Sequence, residues 1–424
     1  MSFPIRHLPV LQNWDCHVCG TCCKEYQVTV TEEEKKRIEA QGWDRDKDLG
    51  GLPPFKRVGP FWARSDQHNH RPDGSCVFLS EQGRCRIHEK FGYETKPLPC
   101  RMFPFVLVPQ GDHWGVGVRY ACPSAAANKG RPILKHDADL REFAELLAKR
   151  AGLTPQPDGT LLRPPRLQSG TRIPWTELQR FVQPLLKLLR DCSDPMERRL
   201  RKCLAFATIC RQAKNIAQLE GDKLRELLDV LESFAGAEVP ADPAAVPPPS
   251  WIGRILFRQA LAIYTRKDHG PNRGPDIRGR AALLGAAWRF IRGRGRIPRM
   301  HAWLPETTFE AIEAPLGPLP PAAEEVLERY YSMKVGSMQF CGSVSFGMSF
   351  WAGFESLALT FPILLWVARA MRPLPGEEAV TRALSIVDDH FGFNRVLSTL
   401  RQRLSFKILA RRGEISRLIA WYSR

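Results

Sequence analysis

Four cysteines open this chain as Cys16-x-x-Cys19-x-x-Cys22-Cys23, and Cys76, Cys85, Cys100 and Cys122 follow within the next hundred residues. Only four of the twelve cysteines lie outside this stretch, at Cys192, Cys203, Cys210 and Cys341. The amino terminus has no uninterrupted apolar run and no small-residue cleavage site, so no secretory signal is expected. Thiols kept in a reducing, cytoplasmic setting seldom form disulfide frameworks. Clustered there, they point to metal or redox chemistry, and a short segment stapled by metal tolerates long irregular loops.

Two residues between successive cysteines let a tight loop aim their sulfurs at one centre. Thiolates are soft ligands for zinc, copper(I) or iron–sulfur clusters. Gly20 permits a turn with positive φ inside that loop. Cys23, adjacent to Cys22, is expected to point elsewhere, toward a second centre, a bridge or a reactive role. Ser75–Leu79 and Gly83–His88 read as the arms of a short hairpin that would set Cys76 near Cys85. Pro97-Leu98-Pro99-Cys100 presents a thiol on a proline-stiffened turn, and Cys122-Pro123 has the form that often ends an iron–sulfur ligand set. Arg101 is expected to offset thiolate charge, and Trp62 and Trp114 to cover the site.

These residues resemble the YkgJ-type cysteine-cluster proteins, a family with a zinc- or iron-chelating CxxCxxCC domain to which flagellin lysine-N-methylases are related. The resemblance rests on Cys16-x-x-Cys19-Gly20-x-Cys22-Cys23, Cys76, Cys85-Arg86-Ile87-His88 and Pro97 through Pro104. It covers residues 14–125, a little over a quarter of the chain. Members more often carry Tyr at His88 and Arg at Lys96. The thiols are kept, and His88 becomes a candidate extra ligand or proton carrier. The resemblance implies metal binding, and it implies methylation of a protein lysine with S-adenosylmethionine.

The fold expected is mainly α: an irregular cysteine-rich metal-binding module with short β-hairpins over residues 1–130, followed by helices. Thr31-Glu-Glu-Glu34 is a capping-box pattern for one helix in the module. Val106–Val108 and Val116–Val118, around Gln110-Gly111-Asp112, suit a hairpin. Beyond Asp137, apolar residues at Leu140, Phe143, Ala144, Leu147 and Ala148 recur at helical spacing. A helical region over 131–235 meets a Pro/Ala linker at 236–250, which cannot continue a helix. A second helical region over 251–424 follows. The stretch Val335–Ala368 is apolar apart from Glu355, but Gly, Ser and Pro362 interrupt it, so buried core helices are expected rather than a membrane span.

The formal charge is +17, from 62 basic and 45 acidic residues. Residues 251–301 hold twelve Lys/Arg against Asp268 and Asp276, with Arg289, Arg292, Arg294, Arg296 and Arg299 interleaved with Gly and Pro. That segment is a candidate surface for an acidic partner. No nucleic-acid-binding motif accompanies it, and no Gly-x-Gly-x-x-Gly or phosphate loop supports a dinucleotide enzyme or P-loop ATPase. Cys192, Cys203 and Cys210 read as core residues, and Asp388-Asp389-His390 as a helix end.

The eight clustered thiols suffice for two four-ligand sites, or for one site and a reactive set. An iron–sulfur cluster, of the 4Fe–4S type, is expected ahead of zinc because of the close triplet and the Cys-Pro. Two functions extend this metal-binding reading: a lysine N-methylase using S-adenosylmethionine on a protein substrate, or a metal-stapled helical scaffold for protein–protein interaction.

Overall fold

The computed structural model describes residues 3–6, 12–154, 156, 159–266, 277–298, 301, 303–315 and 317–424. Helices dominate, and the sheets are small, with two or three strands each. Two apolar cores organise the chain.

The smaller core gathers Val30, Ile38, Leu49, Phe55, Val77, Phe78 and Ile87, with Cys76 among them. A three-stranded sheet frames it, with Ser65–His68 between Thr29–Val30 and Phe55–Val58. Helix Glu32–Glu39 starts at the capping box read from the sequence. The Thr31 hydroxyl accepts from the Glu34 N–H at 3.2 Å, and the Glu34 carboxylate accepts from the Thr31 N–H at 2.8 Å. Reciprocal bonds of this kind satisfy two donors that a helix start leaves bare. The hairpin expected around Cys76 and Cys85 is reduced to its turn, flanked by one antiparallel bridge, with the Ser80 N–H on the Arg84 carbonyl and the Arg86 N–H on the Phe78 carbonyl, both at 2.8 Å. Isolated bridges join His70 to Cys76 and Leu79 to Cys85, and Cys85 instead stands at the start of helix Arg86–Phe91.

The larger core runs from Leu98 to Tyr422. Strands Phe105–Gln110 and His113–Val118 form the antiparallel hairpin expected from Gln110-Gly111-Asp112, and Ile5–Arg6 adds a parallel edge. Helix Asp137–Arg150 follows the apolar spacing read there, burying Leu140, Phe143 and Ala144. Helices Val182–Leu189, Met196–Gln212 and Gly221–Glu238 pack on one another. The helix ending at Glu238 passes the expected break at 236. The Pro-rich segment after it is tied down where Arg201 donates to the Pro240 carbonyl and Arg424 to the Val246 carbonyl, at 3.0 and 3.2 Å.

The apolar stretch becomes one helix, Phe350–Ala370, which continues through Pro362. Its length and composition would let it cross a membrane, yet 94% of that window is buried inside the protein. It packs against Gly376–His390, Glu414–Tyr422 and Met196–Gln212. In the basic segment, Arg289, Arg292, Arg294 and Arg296 are exposed, while Asp268, Asp276 and Arg299 lie outside the described residues.

Asp388 and Asp389 do more than end a helix. Asp388 is fully buried against Lys334, 2.7 Å away, and accepts from the Tyr120 N–H and the Tyr330 hydroxyl. Asp389 pairs with Arg119 at 3.0 Å.

Candidate metal centre

Gly20 takes φ +67 and turns the chain into the short helix Thr21–Glu25, which carries Cys22 and Cys23. The N–H of Cys76 donates to the Cys23 carbonyl at 2.8 Å, so backbone ties the Cys76 segment to the Cys22–Cys23 pair. Cys85 enters at the start of its helix. Cys100 sits in helix Leu98–Met102, entered through Pro97. The result is one cavity of about 320 Å³, lined by Cys22, Cys23, Cys76, Cys85 and Cys100. Both cores contribute to its wall: Cys76, Phe78 and Ile87 belong to the smaller core, and Phe103 packs on the larger one.

Cys22 and Cys23 do not point apart as expected: their sulfurs are 4.0 Å from each other. Two thiolates on one tetrahedral metal, each about 2.3 Å from it, stand ~3.8 Å apart, so adjacent residues here reach one metal atom without a strained loop. The thiols influence one another as a group. Burial pushes Cys76 up to about 12, with the charges of Cys85 and Cys22 adding to it. Burial also holds Cys100 well above the ordinary thiol range, with Cys76, Cys85 and Cys22 adding to the effect. Cys22 is raised first by its hydrogen bond with Cys23 and then by burial. A bound cation inverts this repulsion, because each thiolate then faces a positive charge.

Lys96, and not Arg101, supplies the cationic offset: it lowers both Cys22 and Cys100. Arg101 is buried, pairs with Glu94 and Glu142, and is absent from the cavity lining. Arg119 also lines the cavity, stacked on the rings of Tyr26 and Phe393 at 4.7 and 3.7 Å.

The remaining three thiols lie off the cavity lining. Cys16 and Cys19 are exposed. Cys122 is buried at the start of helix Pro123–Ala126, and burial raises it to about 11, with the backbone at Ala125 acting against that rise and the charge of Cys19 adding to it. Among the described residues, no three Cys, His, Asp or Glu side chains close tightly enough to enclose a bare ion. The five cavity thiols ring a space instead of meeting at a point.

Other expectations shift. Trp62 is 75% exposed, and Trp114 is buried in the strand His113–Val118; neither lines the cavity. His88 packs edge-on against Tyr93, with ring centres 5.7 Å apart, and is also off the lining. Cys203, Cys210 and Cys341 are core residues, but Cys192 is exposed, its sulfur 3.4 Å from the Glu328 carboxylate.

One residue on the cavity escaped sequence reading. His68, at the end of strand Ser65–His68, is buried, and desolvation lowers it to about 3, keeping it neutral. Its Nδ1 is 3.7 Å from the Cys76 sulfur. The only signal was a histidine eight residues before a cysteine, which is too weak alone.

Residues 15–123, which contain all eight clustered cysteines, match the CxxCxxCC family model, described as a "Putative zinc- or iron-chelating domain". No curated protein and no solved structure matches the chain.

Proposed function

We propose that the chain holds a zinc or iron centre, an iron–sulfur cluster ahead of zinc, in the cavity lined by Cys22, Cys23, Cys76, Cys85 and Cys100. The observation that carries this is that five thiols, from four separate segments, line one cavity. Five soft donors exceed the four that a tetrahedral zinc takes, and the cavity is larger than one ion requires. Cys16, Cys19 and Cys122 then act outside this centre. The thiol inventory suits a reducing, cytoplasmic compartment. Protein purified without oxygen should carry metal, and iron with acid-labile sulfide and visible charge-transfer absorption would identify a cluster. Equimolar zinc without colour would establish zinc, and metal-free protein that takes up neither would end the proposal.

A second reading is favoured by the cavity's place between the two cores, where a substrate group could reach the metal: methyl transfer from S-adenosylmethionine to a protein lysine, related to YkgJ-type and flagellin lysine-N-methylase proteins. Pockets of ~300–1,000 Å³ hold small ligands, and about 320 Å³ lies at the lower end. A closed structural staple needs no such space, which makes the scaffold alternative less well supported. Anaerobic protein should bind the cofactor and label lysine in a lysate. Failure of both would remove this reading while leaving the metal untouched.

A further inference from the structure

An imidazole carries two nitrogens that both want a polar partner, and burying either without one costs free energy. His68 is 2% exposed, wedged between Phe55 and Phe78 with ring centres 5.7 and 5.1 Å away. Its Nε2 has no hydrogen-bond partner among the described residues. Its Nδ1 meets one polar neighbour, the sulfur of Cys76, at 3.7 Å. A histidine kept purely for packing is more cheaply replaced by phenylalanine in this aromatic setting. The unpartnered Nε2 shows that hydrogen bonding does not explain the burial of this ring, and Nδ1 is the nitrogen that faces a cavity thiol.

We infer that His68 is a metal ligand, donating its Nδ1 lone pair to the same metal atom that the Cys76 sulfur binds. This rests on the metal-binding reading above and deepens it. For a sulfur ~2.3 Å and a nitrogen ~2.0–2.1 Å from one tetrahedral metal, the two ligand atoms stand ~3.6 Å apart, close to the separation here. No backbone shift is needed to insert the metal between them. Two structural constraints hold the pair in that relation. His68 is fixed by strand pairing, with its N–H on the Val28 carbonyl at 3.0 Å, and Cys76 is fixed by its N–H on the Cys23 carbonyl. The centre is thus mixed, with nitrogen and sulfur ligands.

The inference also bears on the kind of centre. Four protein ligands shared over two irons give two per iron, whereas four shared over four irons give one each. A His68–Cys76 pair on one atom fits zinc or a two-iron cluster, and the Cys22–Cys23 pair at 4.0 Å repeats the same spacing.

The test is X-ray absorption at the edge of whichever metal the full-length, anaerobically purified protein carries. Wild-type protein should show a nitrogen shell at ~2.0–2.1 Å beside sulfur at ~2.3 Å, with outer-shell scattering from one imidazole ring. His68→Phe keeps the ring packing between Phe55 and Phe78. It should fold, as circular dichroism would verify, and lose the imidazole scattering. A metal-loaded wild type whose shell is sulfur alone overturns the role of His68 and leaves the thiol centre standing, as does imidazole scattering that persists in His68→Phe. Wild-type protein without metal overturns both.

Discussion

The Glu34 carboxylate accepts from the N–H of Leu98 at 2.8 Å while its other oxygen holds the N–H of Thr31, joining a helix cap to the segment that carries Cys100. Glu34 is buried, and Leu98 opens helix Leu98–Met102. One carboxylate therefore sets both the start of a helix in the small core and the position of a cavity thiol.

Replacing Glu34 by Ala should strand one buried donor, the Leu98 N–H, at a cost of about 1–3 kcal/mol, and leave the half-buried Thr31 N–H without its carboxylate. Glu34→Gln keeps an acceptor and should cost less than Glu34→Ala. Urea unfolding midpoints would measure this order. If chelator removes metal equally fast from Glu34→Ala and wild type, the bond does not position Cys100.

Half of that relationship was legible in sequence. Thr31 and Glu34 are three residues apart, and local spacing reveals a capping box. Leu98 lies 64 residues on, where spacing carries no information. The same limit explains the other misses. The thiol motif marked the metal module and the family match bears out that coarse reading, but motif spacing could not show which thiols share a space. Cys22 and Cys23 come together because a helical turn starts at Gly20, and Lys96 displaces Arg101 as the cationic neighbour because Glu94 and Glu142 capture the arginine. His68 was invisible because its partner is a tertiary contact. The helical periodicity beyond Asp137 was readable since each helix has to bury one face whatever its partner.

The buried pair of Lys334 and Asp388 should be the most costly polar contact in the larger core to break. Neither side chain is exposed, and Asp388 also satisfies the Tyr120 N–H and the Tyr330 hydroxyl. Removing one partner of such a pair leaves a stranded charge and costs about 3–5 kcal/mol. Asp388→Ala should show that loss in chemical denaturation. Asp388→Ala with Lys334→Met should lose clearly less than the two single changes together. Strict additivity would mean the charges do not interact.

Alkylation should separate the eight clustered cysteines into two classes. Cys16 and Cys19 are exposed and lie off the cavity, so iodoacetamide should modify them first in folded, metal-loaded protein. Cys76 and Cys100 should stay protected until the metal is chelated or the chain unfolds, because coordination and burial both withhold the thiolate. Peptide mass spectrometry over a time course reads this directly. Protection of Cys16 and Cys19 together with Cys76 would place them in the same centre and remove the five-thiol partition.

Glu355, the single acid within the apolar helix Phe350–Ala370, should make stability depend on pH in an unusual direction. Burial raises its carboxyl above the ordinary value, and the neighbouring Arg211 only partly offsets that burial. A carboxyl whose folded value is raised favours the folded state while protonated in both states. That contribution is complete below the unfolded value near 4.5 and is lost as pH rises through the folded value. At neutral pH the ionised Glu355 is therefore a net cost. Glu355→Gln keeps the shape without the charge, and Arg211 retains access to water. The variant should unfold at higher urea than wild type at pH 7.5, and the gap should shrink steadily as pH falls toward 4.5. A wild type more stable than Glu355→Gln at pH 7.5 would show instead that the Arg211 pair outweighs the burial of the carboxylate.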